Sequence, residues 1–210
     1  LQREELGRQH QPGAAVPVFQ APVGGLRVER TPRVLVEADG HADLGHARAD
    51  RGHHAGQCTA AGGAANVYEN TVYGNSSTGT GAFYGIYSNE VATTVKMVYD
   101  NIIYNNSSGG DIFGINSTTG ALGHIYGNNI YDITSTTALT TSPYSSGISV
   151  GTGTDVYVYN NFISDLKAPN SAAVDAVRGI SMTSATTNAT RGIYYNTIFL
   201  NASSTGTNFG

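Results

Sequence analysis

The chain reads as an all-β protein built as a solenoid of about five stacked coils. Three observations predict this. Gly, Ser, Thr and Asn are abundant, only 12 % of residues are charged, Trp is absent and Tyr outnumbers Phe thirteen to six, which suits short strands joined by many turns better than helices. One frame recurs five times in the last 145 residues: a branched aliphatic, then Tyr, then Asn two residues on, then a second branched aliphatic. A Gly-Ile pair stands once between successive frames.

Residues 1–65 precede the repeats and differ from them in kind. They contain no Ile, Lys, Asn, Tyr, Ser or Met, yet they hold seven of the eleven cations and five of the six His. Such a change marks a domain boundary or a segment read in another frame, and it divides the chain into a low-order or extraneous stretch, 1–65, and a repeat region, 66–210. Within the first stretch Arg33 to Ala38 has the makings of a strand, and Gln11 to Gly25, with three prolines, reads as an extended linker. His41, Asp43, His46, Asp50, His53, His54 and Cys58 are metal-ligand types, but no close pair is answered by a second close pair across a loop, so the tract is read as compositional. The segment is expected to stay outside the solenoid, or at most to lay one strand on its first coil.

In the repeat region position zero is Val67, Val98, Ile125, Val158 and Ile193, and each is followed by Tyr68, Tyr99, Tyr126, Tyr159 and Tyr194. Asn70, Asn101, Asn128, Asn161 and Asn196 stand at position three, and Val72, Ile103, Ile130, Ile163 and Ile198 at position five. Aliphatics at zero and five share a face only if the chain turns between them. The frame therefore predicts a strand, a tight corner at Asn, where a left-handed conformation is tolerated, and a second strand. Amides of successive Asn should bond to one another. The third strand of each coil is expected at Gly85-Ile86, Gly114-Ile115, Gly147-Ile148 and Gly179-Ile180. This pair recurs at intervals of 29, 33 and 32 residues, which places the next glycine near Gly210 and predicts an aliphatic residue after it.

These repeats resemble those of right-handed parallel β-helix proteins of the pectate-lyase-like class. The run Ile193-Tyr194-Tyr195-Asn196-Thr197-Ile198, followed by Ser204 to Gly210, is similar to repeats of large secreted surface proteins of Bacteroidetes-type bacteria. The resemblance covers 66–210 and implies the fold and a secreted or cell-surface location. Activity is not implied, since the same repeat class serves lyases, hydrolases, adhesins and passive stalks.

Parallel stacking turns each column of the alignment into a row about 4.8 Å in period. The row Tyr68, Tyr99, Tyr126, Tyr159, Tyr194 should face outward, where rigid rings in register are suited to stack on the sugar faces of a polysaccharide. Tyr73, Tyr104, Tyr131 and Phe199 make a second aromatic row. Position seven places Asn105, Asp132 and Asp165 in one row, a candidate calcium site, because two carboxylates at strand spacing call for a cation. Lys167 follows Asp165 by two residues, where lyase-like chemistry would be sought. No other cofactor is expected.

Clustered aspartates beside a His and a basic residue, which the family's hydrolases use, are not evident: the repeat region has one His, His124, and Asp175 with Arg178 has the spacing of a surface ion pair. The reading is a non-catalytic stretch of a secreted or surface scaffold that contacts carbohydrate or acts as an adhesin. The alternatives are a polysaccharide lyase or glycoside hydrolase whose catalytic coils lie partly outside this stretch, or a passive spacer. Lys96, Lys167, Arg178 and Arg191 form no basic stripe, so nucleic acid is not an expected partner. No apolar run reaches the roughly 20 residues that span a bilayer, and neither a basic-then-apolar leader nor a second cysteine accompanies Leu1 and Cys58.

Overall fold

A computed structural model describes residues 57–58, 64–89, 95–118, 122–136, 144–183, 187–202 and 204. Among them every regular element is a strand, and the strands wind into a parallel β-solenoid. The two-residue β1 (Gln57–Cys58) comes first. The first turn is β2 (Ala64–Tyr68), β3 (Thr71–Tyr73), β4 (Ser76–Ser77) and β5 (Phe83–Asn89), and the second is β6 (Val95–Tyr99), β7 (Ile102–Ser108) and β8 (Ile112–Thr118). β9 (Leu122–Tyr126), β10 (Asn129–Ser135) and β11 (Ser145–Val150) make the third; β12 (Asp155–Tyr159), β13 (Phe162–Ser164), β14 (Leu166–Lys167) and β15 (Val177–Met182) the fourth. β16 (Thr190–Tyr194) and β17 (Thr197–Phe199) begin a fifth.

Each turn lays one layer on each of three parallel sheets. Sheet one has the order β2-β6-β9-β12-β16, sheet two β3-β7-β10-β13-β17 with β4 and β14 alongside, and sheet three β1-β5-β8-β11-β15. The register follows the sequence frame. Val67 pairs with Val98, Val98 with Ile125, Ile125 with Val158 and Val158 with Ile193. The first four of these are buried, whereas Ile193 is 52 % exposed because no described rung lies beyond it. Pairing starts upstream of Asn66: β1 aligns Gln57 with Tyr87 and Cys58 with Ser88, and β2 begins at Ala64. The rest of the distinctive first segment lies outside the described residues, including Arg33 to Ala38 and the His-rich tract.

The corner between sheets one and two forms where the frame places it, by a different residue than expected. The left-handed conformation falls at position two, on Glu69, Asp100, Gly127, Asn160 and Tyr195, and not on the asparagines that follow. Asn is instead needed for its carboxamide. The Nδ2 of Asn128 donates to Val98 O (2.9 Å), Tyr126 O (3.0 Å) and Asn161 Oδ1 (2.9 Å), while its own Oδ1 accepts from the backbone N (3.1 Å) and Nδ2 (2.9 Å) of Asn101. The same contacts link Asn70 to Asn101 and Asn161 to Asn196. Backbone groups turned inward at a corner have no strand partner, and burying them bare is costly; the carboxamide supplies the missing donors and acceptor.

A second corner lies within sheet two. Gly74, Asn105, Asp132 and Asp165 have positive φ there, each one residue before Asn75, Asn106, Ile133 and Leu166. Asn75 Nδ2 donates to Asn106 Oδ1 at 2.8 Å, a short second ladder that gives way to apolar packing at Ile133 and Leu166.

The Gly of the third strand has a packing role. A Cβ on Gly114 would lie 2.6 Å from Ile130 Cγ2 and 2.6 Å from Gly147 O, and one on Gly147 would lie 2.6 Å from Ile163 Cγ2 and 2.7 Å from Gly179 O. The isoleucine column of sheet two therefore sits directly against the backbone of sheet three.

Two stability predictions follow from these contacts. Replacing Asn128 with Leu leaves the buried Asn101 N–H without its acceptor and takes a partner from groups on three rungs, and chemical denaturation should show a loss of at least about 1–3 kcal/mol, the cost of one buried group left bare; Asn196→Leu, on the last described rung, should cost far less. Gly147→Ala meets backbone as well as side chain, so overpacking should cost at least about 1–3 kcal/mol. A Gly147→Ala variant as stable as the parent would disprove the close sheet-to-sheet approach.

Candidate functional site

The outer surface of sheet one is built by period-two alternation. Positions zero and minus two point inward, so positions plus one and minus one point out. Position plus one gives the five-tyrosine column. Neighbouring rings from Tyr68 through Tyr99, Tyr126 and Tyr159 to Tyr194 have centroids 5.0, 4.9, 5.0 and 5.1 Å apart and planes within 6° of parallel. The expectation of an outward, in-register row is met. The ring faces are taken up within the row. Inside the row each ring face is covered by the next ring, and a gap of 5 Å between centroids admits no sugar. The column thus presents ring edges and a file of phenol hydroxyls.

Position minus one adds a second column that the alignment did not reveal, because its residues differ from rung to rung. Met97 pairs with His124, and His124 with Tyr157. The His124 imidazole stacks on Tyr157 at 5.2 Å and meets Tyr159 edge-on at 6.0 Å, tying the two columns together. Its buried Nδ1 has no hydrogen-bond partner. Beyond Tyr157 comes Gly192, whose missing side chain makes room: a Cβ there would lie 2.6 Å from Tyr157 Cδ1.

The second tyrosine row, on sheet two, is shorter. Tyr73, Tyr104 and Tyr131 stack at 5.1 Å, but Ser164 takes the next place, before Phe199. On sheet three Tyr84 stacks on Phe113, Phe113 meets Tyr144 edge-on, and the Arg178 guanidinium lies 3.9 Å over the Tyr144 ring. Arg178 also pairs with Asp175 at 2.8 Å, the surface ion pair that their spacing suggested.

Asp132 and Asp165 come together as the stacking predicts, and an ammonium stands between them. Lys167 Nζ is 2.9 Å from Asp132 Oδ1 and 2.9 Å from Asp165 Oδ2. The hydrogen bond with Asp132, then that with Asp165, holds the Lys167 pKa above its usual range. These two aspartates and Asn105 all have positive φ, which gives a conformational reason for Asp and Asn at this corner. Among the described residues no group of three or more His, Cys, Asp or Glu gathers in a way that could hold a metal ion. No protein-family model, curated protein or solved structure matches the chain.

Partial desolvation raises the pKa of Tyr99, Tyr126 and Tyr159, and neighbouring phenols add to it, as do Glu69 and Asp100 at Tyr99 and Asp100 at Tyr126. The phenols therefore stay protonated donors above the usual tyrosine value of about 10. For these groups and for Lys167 the folded state holds protons more tightly than the unfolded state. Their stabilising contribution is complete below about pH 10 and disappears as pH rises through the folded values. Urea midpoints should be level from about pH 7 to 9 and fall above about pH 10. A phenolate absorbance titration should show a late-titrating class of tyrosines that Tyr126→Phe reduces.

Proposed function

We propose that this chain is a stretch of a secreted or cell-surface β-solenoid scaffold whose tyrosine face contacts extended carbohydrate. The observation that carries the proposal is the pair of adjacent outward columns on sheet one, five stacked tyrosines beside Met97, His124 and Tyr157. A strand-spaced file of hydroxyls and ring edges suits a polymer that itself repeats along one direction, because every rung can offer the same contact. Sheet two, whose row is interrupted at Ser164, offers less. The resemblance to pectate-lyase-like repeats supports the secreted or cell-surface location. The proposal is one of contact without chemistry in this stretch.

Retardation in gels that contain soluble polysaccharides tests this reading. Tyr126→Ala should weaken retention about three- to tenfold, the range for one aromatic contact. Tyr104→Ala removes an equally stacked tyrosine from the other row and should leave retention unchanged, which separates binding from a general loss of sheet stability. Equal effects of the two variants would refute the assignment to sheet one. Retention by no polymer would leave a spacer, and release of unsaturated or reducing ends would require the enzymatic alternative.

A further inference from the structure

The stacked rows set identical phenols face to face from one rung to the next. In the sheet-one column the register pairs Tyr68 with Tyr99, Tyr99 with Tyr126, Tyr126 with Tyr159 and Tyr159 with Tyr194, with 4.9–5.1 Å between centroids. On sheet two Tyr104 has Tyr73 and Tyr131 at 5.1 Å on either side. Tyr99, Tyr126 and Tyr159 are half-buried and Tyr194 is 41 % exposed. Because these rings stand outward on their sheets, the hydroxyl and the two ortho carbons beside it form the outer end of each.

Other tyrosines do not repeat this arrangement. On sheet three Tyr84 stacks on Phe113, which keeps the packing but ends the file of phenols. The pair Tyr84–Tyr87, 4.9 Å apart, lies within one strand and is tilted by 35°. Tyr195 stands at 86° to Tyr194.

We infer that the stacked rows are sites of oxidative modification, at which hydrogen peroxide and a haem peroxidase join phenols of adjacent rungs as dityrosine. The inference stands on ring geometry and does not need the glycan contact proposed above. Two phenols each give up one electron and one proton. A bond then forms between an ortho Cε of one ring and an ortho Cε of the next; the hydrogen on each of those carbons leaves as a proton, and each phenol oxygen takes one up. Hydrogen peroxide accepts the two electrons and two protons of the first step, its O–O bond breaks, and two waters leave.

Stacking favours coupling within the chain. Strand spacing holds the roots of neighbouring side chains about 4.8 Å apart, so a swing of the outer ends brings two ortho carbons together without moving the backbone. Partners held in place react faster than dilute molecules that must first meet. A radical on one ring also passes to the next phenol at little cost, since the two are chemically alike, and so travels the column to meet a second. The product is a staple across one rung, and a covalent link that closes such a loop restricts the unfolded chain.

The test exposes the full chain, in dilute solution, to hydrogen peroxide and a haem peroxidase. Dityrosine fluorescence is read in the monomer fraction, and the linked peptides are mapped by mass spectrometry. The parent should give monomer whose dityrosine joins neighbours of one row, such as Tyr99 with Tyr126. The triple variant Tyr99→Phe, Tyr104→Phe, Tyr159→Phe keeps every stacked ring but leaves no two phenols on adjacent rungs of a row, and should lose the monomer signal. A second triple, Tyr84→Phe, Tyr87→Phe, Tyr144→Phe, removes as many phenols outside the rows and should retain it. No dityrosine in the parent, dityrosine only between chains, or an equal loss in the two triples would each overturn the inference.

Discussion

A chain that turns a corner while keeping its backbone buried must find partners for the peptide groups that leave the strand ladder there. In this protein one carboxamide per rung provides them. Asn101, Asn128 and Asn161 each donate to a carbonyl two residues back, to a carbonyl of the preceding rung and to the amide oxygen of the next, and each accepts two donors from the rung before. No apolar residue can take that place: at position 128 it would leave the buried Asn101 N–H without its acceptor and take a partner from four further polar groups. The ladder also pins register, because a slip of one residue would move the carboxamide out of the interior. The buried aliphatic columns, the glycine backbone set against isoleucine and the outward tyrosines all depend on that register.

Register also explains why the surface is organised in columns. Stacking identical rungs repeats whatever each side chain brings: for tyrosine a continuous file of rings, for aspartate an accumulation of like charge. The chain handles the second case locally. Where Asp132 and Asp165 stack, Lys167 lies between them. Where the corner of sheet one would stack acids, the column passes from Glu69 and Asp100 to Gly127 and Asn160.

Much of this was legible in the sequence because the frame constrains three positions by different physics. Position zero must be apolar, position three must carry a carboxamide, and position one must fit an exposed sheet surface, so the repeat is visible by eye. The left-handed residue was missed because five different residues occupy it; tolerance of positive φ at a corner leaves a scattered signature, whereas a hydrogen-bonding requirement leaves an invariant one. The second corner was obscured for a related reason, as Asn75 and Asn106 give way to Ile133 and Leu166 once packing replaces hydrogen bonding. The column of Met97, His124 and Tyr157 has no common chemistry to find; only the register reveals it. Lys167 between two aspartates needed the same information, since the pairing with Asp132 spans 35 residues.

The asparagine ladder has a direction. Every Nδ2 bond between carboxamides runs from the earlier rung to the later one, and the first described member, Asn70, keeps a buried Oδ1 with no partner. Its two described ends are consequently unlike: one presents the carboxamide oxygen of Asn70, the other the carboxamide N–H of Asn196, which donates only to backbone carbonyls. A twofold axis sets like against like, so two copies related by one could never join their ladders, whereas a translation along the stack would join them without a break. Hydrogen-bond polarity inside a single corner thus dictates the symmetry by which such a column can be extended.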